Sequence, residues 1–147
     1  RGLEPSPQWE MPLFITLTLP NDGPVQHTYN NTCSAAGMIT VTGIPQGTYD
    51  VFVSGDTTLV NVCRELPFGP GSHYLNMETL LEGDSVYDGI INIFDLSLVA
   101  MAYGQSYGSP GYDPRCDLND DGIINIFDLS LVATNYGKTS PREIVAV

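Results

Sequence analysis

The sequence DGIINIFDLSLVA at residues 88–100 recurs without a single change at residues 121–133. The dipeptide Tyr-Gly at residues 103–104 also recurs at residues 136–137, so the two copies are offset by 33 residues. Thirteen identical consecutive residues do not arise by chance, and the second half of the chain is therefore an internal duplication.

Each copy lies within a stretch that matches a calcium-binding loop, in which oxygen-bearing side chains alternate along the chain and a glycine permits a sharp turn. The second loop supplies a complete ligand set: Asp117, Asn119, Asp121, the carbonyl of Ile123, Asn125 and Asp128. The first loop supplies Asp84, Asp88, the carbonyl of Ile90, Asn92 and Asp95. Val86 stands at its third position and offers no side-chain oxygen. The pattern predicts two Ca²⁺ sites, of which the second is tighter; the alternative is a pair of acidic turns that cap helices without metal.

The charge balance restricts the class of partner. Asp and Glu number 17 against 5 Lys and Arg, and the formal net charge is −12. A surface that binds phosphate or an anionic membrane needs positive charge, so nucleic acid and anionic membrane surfaces are not expected partners. No apolar run reaches about 18 residues, so membrane insertion is not expected either. Two bound Ca²⁺ ions would account for much of the acidity.

Residues 82–137 resemble a dockerin module. The resemblance rests on the two calcium loops, each followed by a helix, and on the linker sequence GYDPR at residues 111–115. The first half, with GMITVTGIPQGTYDVFV at residues 37–53, is similar to the carboxypeptidase-regulatory-like, transthyretin-type β-sandwich. This order of modules resembles the tails of bacterial cell-surface proteins, which implies an extracellular or cell-surface location.

The predicted fold is therefore a β + α two-module chain, with a small antiparallel β-sandwich followed by a dockerin-like pair of calcium loop–helix repeats. Residues 1–81 form the sandwich, residues 82–138 the calcium module, and residues 139–147 a C-terminal tail. Apolar alternation and turn residues predict strands at residues 13–19, 38–42, 48–54, 58–63 and 74–81.

The helices, predicted at residues 93–103 and 126–136, offer a partner surface. By the resemblance, Ile93-Phe94 and Ile126-Phe127 occupy the positions that contact cohesin in dockerins. The basic residues often found further along the dockerin helix are absent, and Ala100-Met101 and Ala133-Thr134 stand there. The resemblance implies an adaptor that binds a cohesin-like protein, which is the alternative to the self-assembling structural protein described next. The alternative is that the apolar stripes, such as Phe94, Leu98 and Met101, are buried within the chain.

The sequence of the C-terminal tail favours self-assembly of the chain. The family's sandwich begins with an edge strand that this sequence does not show before residues 1–5, and the β-prone residues Ile144, Val145, Ala146 and Val147 end the chain. We expect this strand to complete the sandwich of a neighbouring subunit, which makes a filament or surface layer of a structural protein. The alternatives are a tail that folds back in its own subunit and a frayed end.

An enzyme is not expected, because the only histidines, His27 and His73, lie outside any catalytic motif. A carbohydrate-binding sandwich is an alternative function, since Trp9 and the eight tyrosines could stack on sugars. Asn30 begins an Asn-Asn-Thr glycosylation sequon. In an oxidising compartment, Cys33 and Cys63 are expected to form a disulfide bond, which leaves Cys116 as a thiol.

Overall fold

The computed structural model describes residues 11–34 and 36–145. The strands are β1 (Pro12–Thr18), β2 (Val25–Thr32), β3 (Gly47–Ser54), β4 (Asn61–Phe68) and β5 (Arg142–Ile144). The α-helices within these residues are α1 (Ile93–Met101) and α2 (Ile126–Asn135), and a short 3-10 helix spans Pro114–Cys116. Neither α-helix is long and apolar enough to cross a membrane.

The predicted fold class, an antiparallel β-sandwich followed by a dockerin-like helical module, is wrong. The described strands form one five-stranded sheet in the order β2-β1-β3-β4-β5, not two stacked sheets. β1 to β4 pair antiparallel, whereas β5 pairs in parallel with β4. Because β5 follows both helices in sequence, the sheet is completed only after the helical segment. The predicted boundaries at residues 81 and 138 stay predictions.

One face of the sheet carries an apolar core. Leu13, Ile15 and Leu17 of β1 are buried and Phe14 is exposed, as the predicted alternation requires, but Thr18 is also buried. Leu19, the last residue of the predicted strand, lies beyond β1 and is exposed. Buried residues of β3 extend this core: Tyr49, Val51 and Val53. The partly buried side chains that cover it include Ile39, Val41, Ile44, Leu75, Met77 and Leu80.

The strands predicted at residues 38–42 and 74–81 are wrong. Both segments place apolar side chains against the sheet, but neither forms a strand. Two backbone carbonyl groups of the second segment bond to a side chain instead of a strand. Asn61 Nδ2 donates to the oxygens of Met77 at 2.7 Å and Thr79 at 3.3 Å. Apolar alternation therefore identifies which side chains are covered, but not which backbone is paired.

Strand β2 was not predicted, and its composition explains why. Its sequence VQHTYNNT is largely polar and no residue of the strand is buried. β2 is an edge strand, paired only with β1. A strand without a buried face carries no hydrophobic period. β4 also differs from its prediction, because it begins at Asn61 and continues to Phe68.

A second apolar core lies around the helices. Its buried members are Leu59, Ile91, Val99, Ala102, Cys116, Leu118, Ile124 and Val132. Leu59 belongs to the connection between β3 and β4, so residues from both halves of the chain build this core. Helix α1 ends two residues earlier than predicted and α2 one residue earlier.

The tail pairs within its own chain. Arg142–Ile144 align with Asn61–Cys63 of β4, and Ile144 is buried. The structure thus corresponds to the alternative in which the tail folds back, and donation of this segment to a neighbour is wrong for these residues. Val145 is exposed. Ala146 and Val147 lie outside the described residues.

The predicted Cys33–Cys63 disulfide bond does not form. Cys33 follows β2 and its amide donates to Met11, beside the start of β1. Cys63 lies on β4 opposite Val51, which is itself opposite Leu17 near the other end of β1. Three strand spacings alone separate them by about 14 Å, and a disulfide bond requires Cα atoms within about 7 Å. Cys63 and Cys116 are both buried free thiols.

Candidate metal centres and exposed helix face

The first acidic loop brings three carboxylates together. Ligand oxygens of Asp84, Asp88 and Asp95 all lie within 4.8 Å of one another. Asp84 Oδ1 accepts from the amide of Asp88 at 3.0 Å, and Asp84 Oδ2 accepts from the amide of Gly89 at 2.9 Å. Gly89 has a φ of +78°, the left-handed conformation that the tight turn requires. The loop is therefore folded around its carboxylates in the way a calcium loop requires.

The electrostatics of this cluster favour a cation. Burial raises the pKa of Asp84, and the negative charges of Asp95 and Asp88 raise it further, although amides of Gly89 and Asp88 act in the opposite direction. Oxygen ligands at this density are typical of Ca²⁺ coordination. The donor chemistry of the first loop thus fits the predicted metal.

The second loop repeats the same backbone path. Asp117 Oδ1 accepts from the amide of Asp121 at 3.1 Å and Oδ2 from that of Gly122 at 2.9 Å. Asn119, the residue equivalent to Val86, donates from Nδ2 to Asp121 Oδ2 at 3.0 Å. Burial raises the pKa of Asp128, and the nearby charge of Asp117 adds to that effect. The predicted order of affinity of the two loops stays a prediction.

The last ligand position of each loop also builds the first turn of a helix. Asn92 caps α1 by accepting from the amide of Phe94, while Asp95 Oδ2 accepts from the amide of Asn92 at 2.8 Å. Asn125 and Asp128 form the same capping box on α2. Such reciprocal bonds satisfy amides that a helix N-terminus leaves unpaired. Loop geometry and helix orientation are thus fixed by the same carboxylates.

Tyr112 makes a contact that sequence reasoning missed. Its hydroxyl donates to Asp117 Oδ2 at 2.6 Å, and its ring packs edge-on against Tyr107 at a centroid distance of 5.8 Å. Burial raises the pKa of Tyr112, and the Asp117 carboxylate raises it further, so this hydroxyl remains a donor. The sequence indicates only a linker at GYDPR, and nothing in that stretch indicates which carboxylate Tyr112 contacts.

Each helix begins with an exposed apolar pair. Ile93 and Phe94 on α1 correspond to Ile126 and Phe127 on α2, and all four are exposed, the two phenylalanines at 66% and 64%. Val99 and Val132 lie on the opposite side, in the core around the helices. Phe94 and Met101 are exposed, whereas Leu98 is partly buried against that core, so the alternative in which the stripe of Phe94, Leu98 and Met101 is buried within the chain is wrong for Phe94 and Met101.

A second missed cluster centres on Arg64 of β4. Its guanidinium bonds to the carboxylates of Asp22, Asp50 and Glu143, and lies 5.2 Å from the ring centroid of Phe52. Asp50 is fully buried. Burial alone would raise the pKa of Asp50, but hydrogen bonds from the Glu65 amide and the Arg64 guanidinium hold it below its ordinary value. In a chain with 5 basic residues against 17 acidic ones, a basic residue on a strand was the available signal.

The remaining predicted sites fall in different places. Asn30 is exposed on the edge strand β2 rather than in a loop, and its glycosylation stays a prediction. Trp9, named for a sugar-binding function, lies outside the described residues. Ile144 belongs to the sheet and is separate from the helix face.

No protein-family model matches the chain. No curated protein matches it either.

Two solved structures share its fold. A chain of the C-terminal interface mutant of a type II cohesin–X-dockerin complex from Acetivibrio cellulolyticus is 22% identical, with a TM-score of 0.66, and the likeness covers 86% of this chain and 82% of that one. A chain of the N-terminal interface mutant of the same kind of complex is 19% identical, with a TM-score of 0.71 over 94% and 91% of the two chains. The likeness extends over nearly the whole chain, which agrees with a sheet that is completed after the helices. At these identities it shows the fold alone.

Proposed function

We propose that this chain is a non-catalytic, calcium-dependent module that binds a protein partner of the cohesin kind, outside the cell, through the exposed face of α1 and α2. The observation that carries the proposal is the repeated apolar face at Ile93, Phe94, Ile126 and Phe127. Exposed apolar residues that adjoin one another mark interaction sites more often than single scattered ones do. Here the same pair is exposed twice.

Calcium has a defined task in this proposal. The first loop would hold it with Asp84, Asp88, Asp95, Asn92 and the carbonyl of Ile90, and the second with the equivalent residues and Asn119. When bound, the ion neutralises carboxylates that otherwise repel one another. Asp95 and Asp128 also cap the helices, so a filled loop fixes the position of the phenylalanines in the first turn.

The choice of partner is supported by the fold likeness to chains from complexes described as type II cohesin–X-dockerin. It is also supported by the chemistry of the face. Neither helix carries a basic residue in its last turn. The partner surface should therefore be apolar, and the affinity should change little with salt. Self-association by a donated tail forms no part of the proposal, because β5 is paired in its own chain.

The test is a calorimetric titration of the protein with a type II cohesin domain, with calcium and with a chelator. We expect binding in calcium, with similar affinity at low and high salt, and none in chelator. Replacing both Phe94 and Phe127 by alanine should weaken binding at least about a hundredfold, equivalent to roughly 2.7 kcal/mol. The folded state should be unaffected because both rings are exposed.

Tyr74→Ala serves as the matched control, since Tyr74 is an exposed aromatic residue outside the helices. It should leave the affinity unchanged. Binding to a dockerin in place of a cohesin would assign the opposite role in such a pair and overturn the proposal. Failure to bind either protein would overturn it as well.

A further inference from the structure

Each acidic loop is hydrogen-bonded to the segment that follows the helix of the other copy. Loop 2 exchanges backbone bonds with the exit of α1: Gly104 N to Ile124 O at 2.8 Å, Ile124 N to Gln105 O at 2.9 Å, and Tyr107 N to Gly122 O at 2.8 Å. Loop 1 repeats the pattern with the exit of α2: Gly137 N to Ile91 O at 2.8 Å, Ile91 N to Lys138 O at 3.0 Å, and Ser140 N to Gly89 O at 2.8 Å. Each loop is thus paired with the segment that follows the helix of the other copy.

The two exits then lead to different places. The segment after α1 continues into the linker before the 3-10 helix. The segment after α2 runs directly into β5, and Ser140 joins the two regions, since its Oγ accepts from the amide of Val60 at 2.8 Å. Arg142 N donates to the carbonyl of Val60 at 2.8 Å. Among the described residues, only loop 1 is therefore linked by hydrogen bonds, through Ser140, to the edge of the sheet.

A short path joins the first carboxylate cluster to this edge. Asp84 Oδ2 accepts a hydrogen bond from the amide of Gly89, and the carbonyl of Gly89 accepts one from the amide of Ser140. A movement of Asp84 is transmitted to Ser140 through one residue. Without a cation, repulsion among three carboxylates within 4.8 Å works against this arrangement.

Few contacts made by β5 itself keep it on the sheet. It contains three residues, and its partly exposed ion pair joins Glu143 Oε1 to Arg64 Nε at 3.1 Å. Ile144 is its one buried side chain. Arg142 Nη1 adds a bond to Asn61 Oδ1 at 3.1 Å. So short a strand depends on the anchor that precedes it.

From these contacts we propose that the cation in the first loop latches β5 onto the sheet, whereas the cation in the second loop does not. The inference rests on calcium binding as proposed above. Loss of the first ion releases residues 141–145 and bares the edge of β4 at Asn61–Cys63. The chain then carries an unpaired strand edge that calcium covers again.

The experiment is hydrogen–deuterium exchange on the full chain, read at the peptide that contains residues 141–145. In calcium, Asp84→Asn should raise its exchange rate at least about tenfold over the unmodified protein. Asp117→Asn is the matched control at the equivalent position. It should accelerate exchange around residues 104–107 and leave residues 141–145 protected. Equal exchange of residues 141–145 in the two variants would overturn the proposal.

A calcium titration of the unmodified protein provides a second measurement that does not depend on how well the variants fold. Protection of residues 141–145 should rise with occupancy of the first site as calorimetry reports it. If calorimetry finds no calcium bound, the proposed function fails. If calcium binds and residues 141–145 exchange at the same rate throughout, the latch alone is wrong.

Discussion

Val86 occupies the one ligand position at which the two acidic loops differ in chemistry. Its amide donates to Asp95 Oδ1 at 3.1 Å, as the amide of Asn119 donates to Asp128 Oδ1 at 3.3 Å. The backbone therefore follows the same course in both loops. Only a side-chain oxygen is missing from the first.

Replacing Val86 by asparagine should raise the calcium affinity of the first loop about tenfold, or roughly 1.4 kcal/mol, because one more oxygen is available. Isothermal titration calorimetry measures the change. Asn119→Val is the reciprocal control and should lower the affinity of the second loop by a similar factor. Unchanged affinities in both variants would mean that position 3 is supplied by water or by backbone.

Arg64→Met should destabilise the chain by about 3 kcal/mol, because it leaves the buried carboxylate of Asp50 without its guanidinium. Urea denaturation at pH 7 measures the loss. Replacing Asp50 by asparagine in the Arg64→Met background should recover part of it. If the single substitution costs no more than an exposed one, the Arg64 cluster has no structural role.

Asp50 should also contribute to acid sensitivity. Its pKa is lowered in the folded chain, so it contributes stability above the unfolded value of about 3.9, and that contribution is lost as the pH falls toward the folded pKa. Asp50→Asn should therefore flatten the fall in unfolding free energy below about pH 4. Asp56→Asn, which removes a carboxylate at an exposed position, is the control.

At the scale of elements, each helix presents one face to the core and the opposite face to solvent. Val99 and Val132 are fully buried, whereas the phenylalanines five residues before them are exposed. The helix face that carries the phenylalanines is therefore the one that does not pack within the chain.

Val99→Ala should lower the unfolding free energy by roughly 2 kcal/mol through lost burial and a cavity. Phe94→Ala should change it by less than about 0.5 kcal/mol despite removing more atoms. Chemical denaturation in saturating calcium compares the two. A larger effect at Phe94 would show that its ring is buried in solution.

The local patterns in the sequence were the ones that could be predicted. The acidic loops and the helices after them follow from residues within twelve positions of one another, and most of β1 follows from the alternation of Leu13, Ile15 and Leu17. The residues that cover the sheet near Ile39 and Met77 show the same alternation without pairing, so they were mistaken for strands. β2 pairs without a buried face. The hydrophobic period therefore does not indicate whether a segment pairs with another strand.

At the scale of the whole molecule, contacts join the two halves of the chain. Leu59 lies in the core around the helices, and its amide donates to Leu81 O at 2.9 Å. Thr58 and Glu82 form an isolated bridge beside it. The sequence predicted two modules in succession, because contacts that join distant segments leave no local pattern. The crossed pairing of the loops was out of reach for the same reason.

Calcium should stabilise this molecule strongly. Each site at a hundredfold excess over its dissociation constant contributes about 2.7 kcal/mol. Two sites should raise the melting temperature by roughly 10–20 °C in a chain of this size. Differential scanning calorimetry in calcium and in chelator measures the difference. Magnesium at the same concentration is the control and should give a smaller shift, since it prefers fewer protein ligands. An unchanged melting temperature would contradict calcium binding to the native state.

The crossed pairing of loop 1 also governs when the protein can finish folding during its synthesis. The backbone partners of Gly89 and Ile91 lie at residues 137–140, about fifty residues later in translation order. Loop 2 has its partners at residues 104–107, which emerge before it. Loop 2 can therefore form its backbone bonds on a nascent chain before the partners of loop 1 have been synthesised. The sheet, whose last strand ends at Ile144, is the last part of the described chain to be completed.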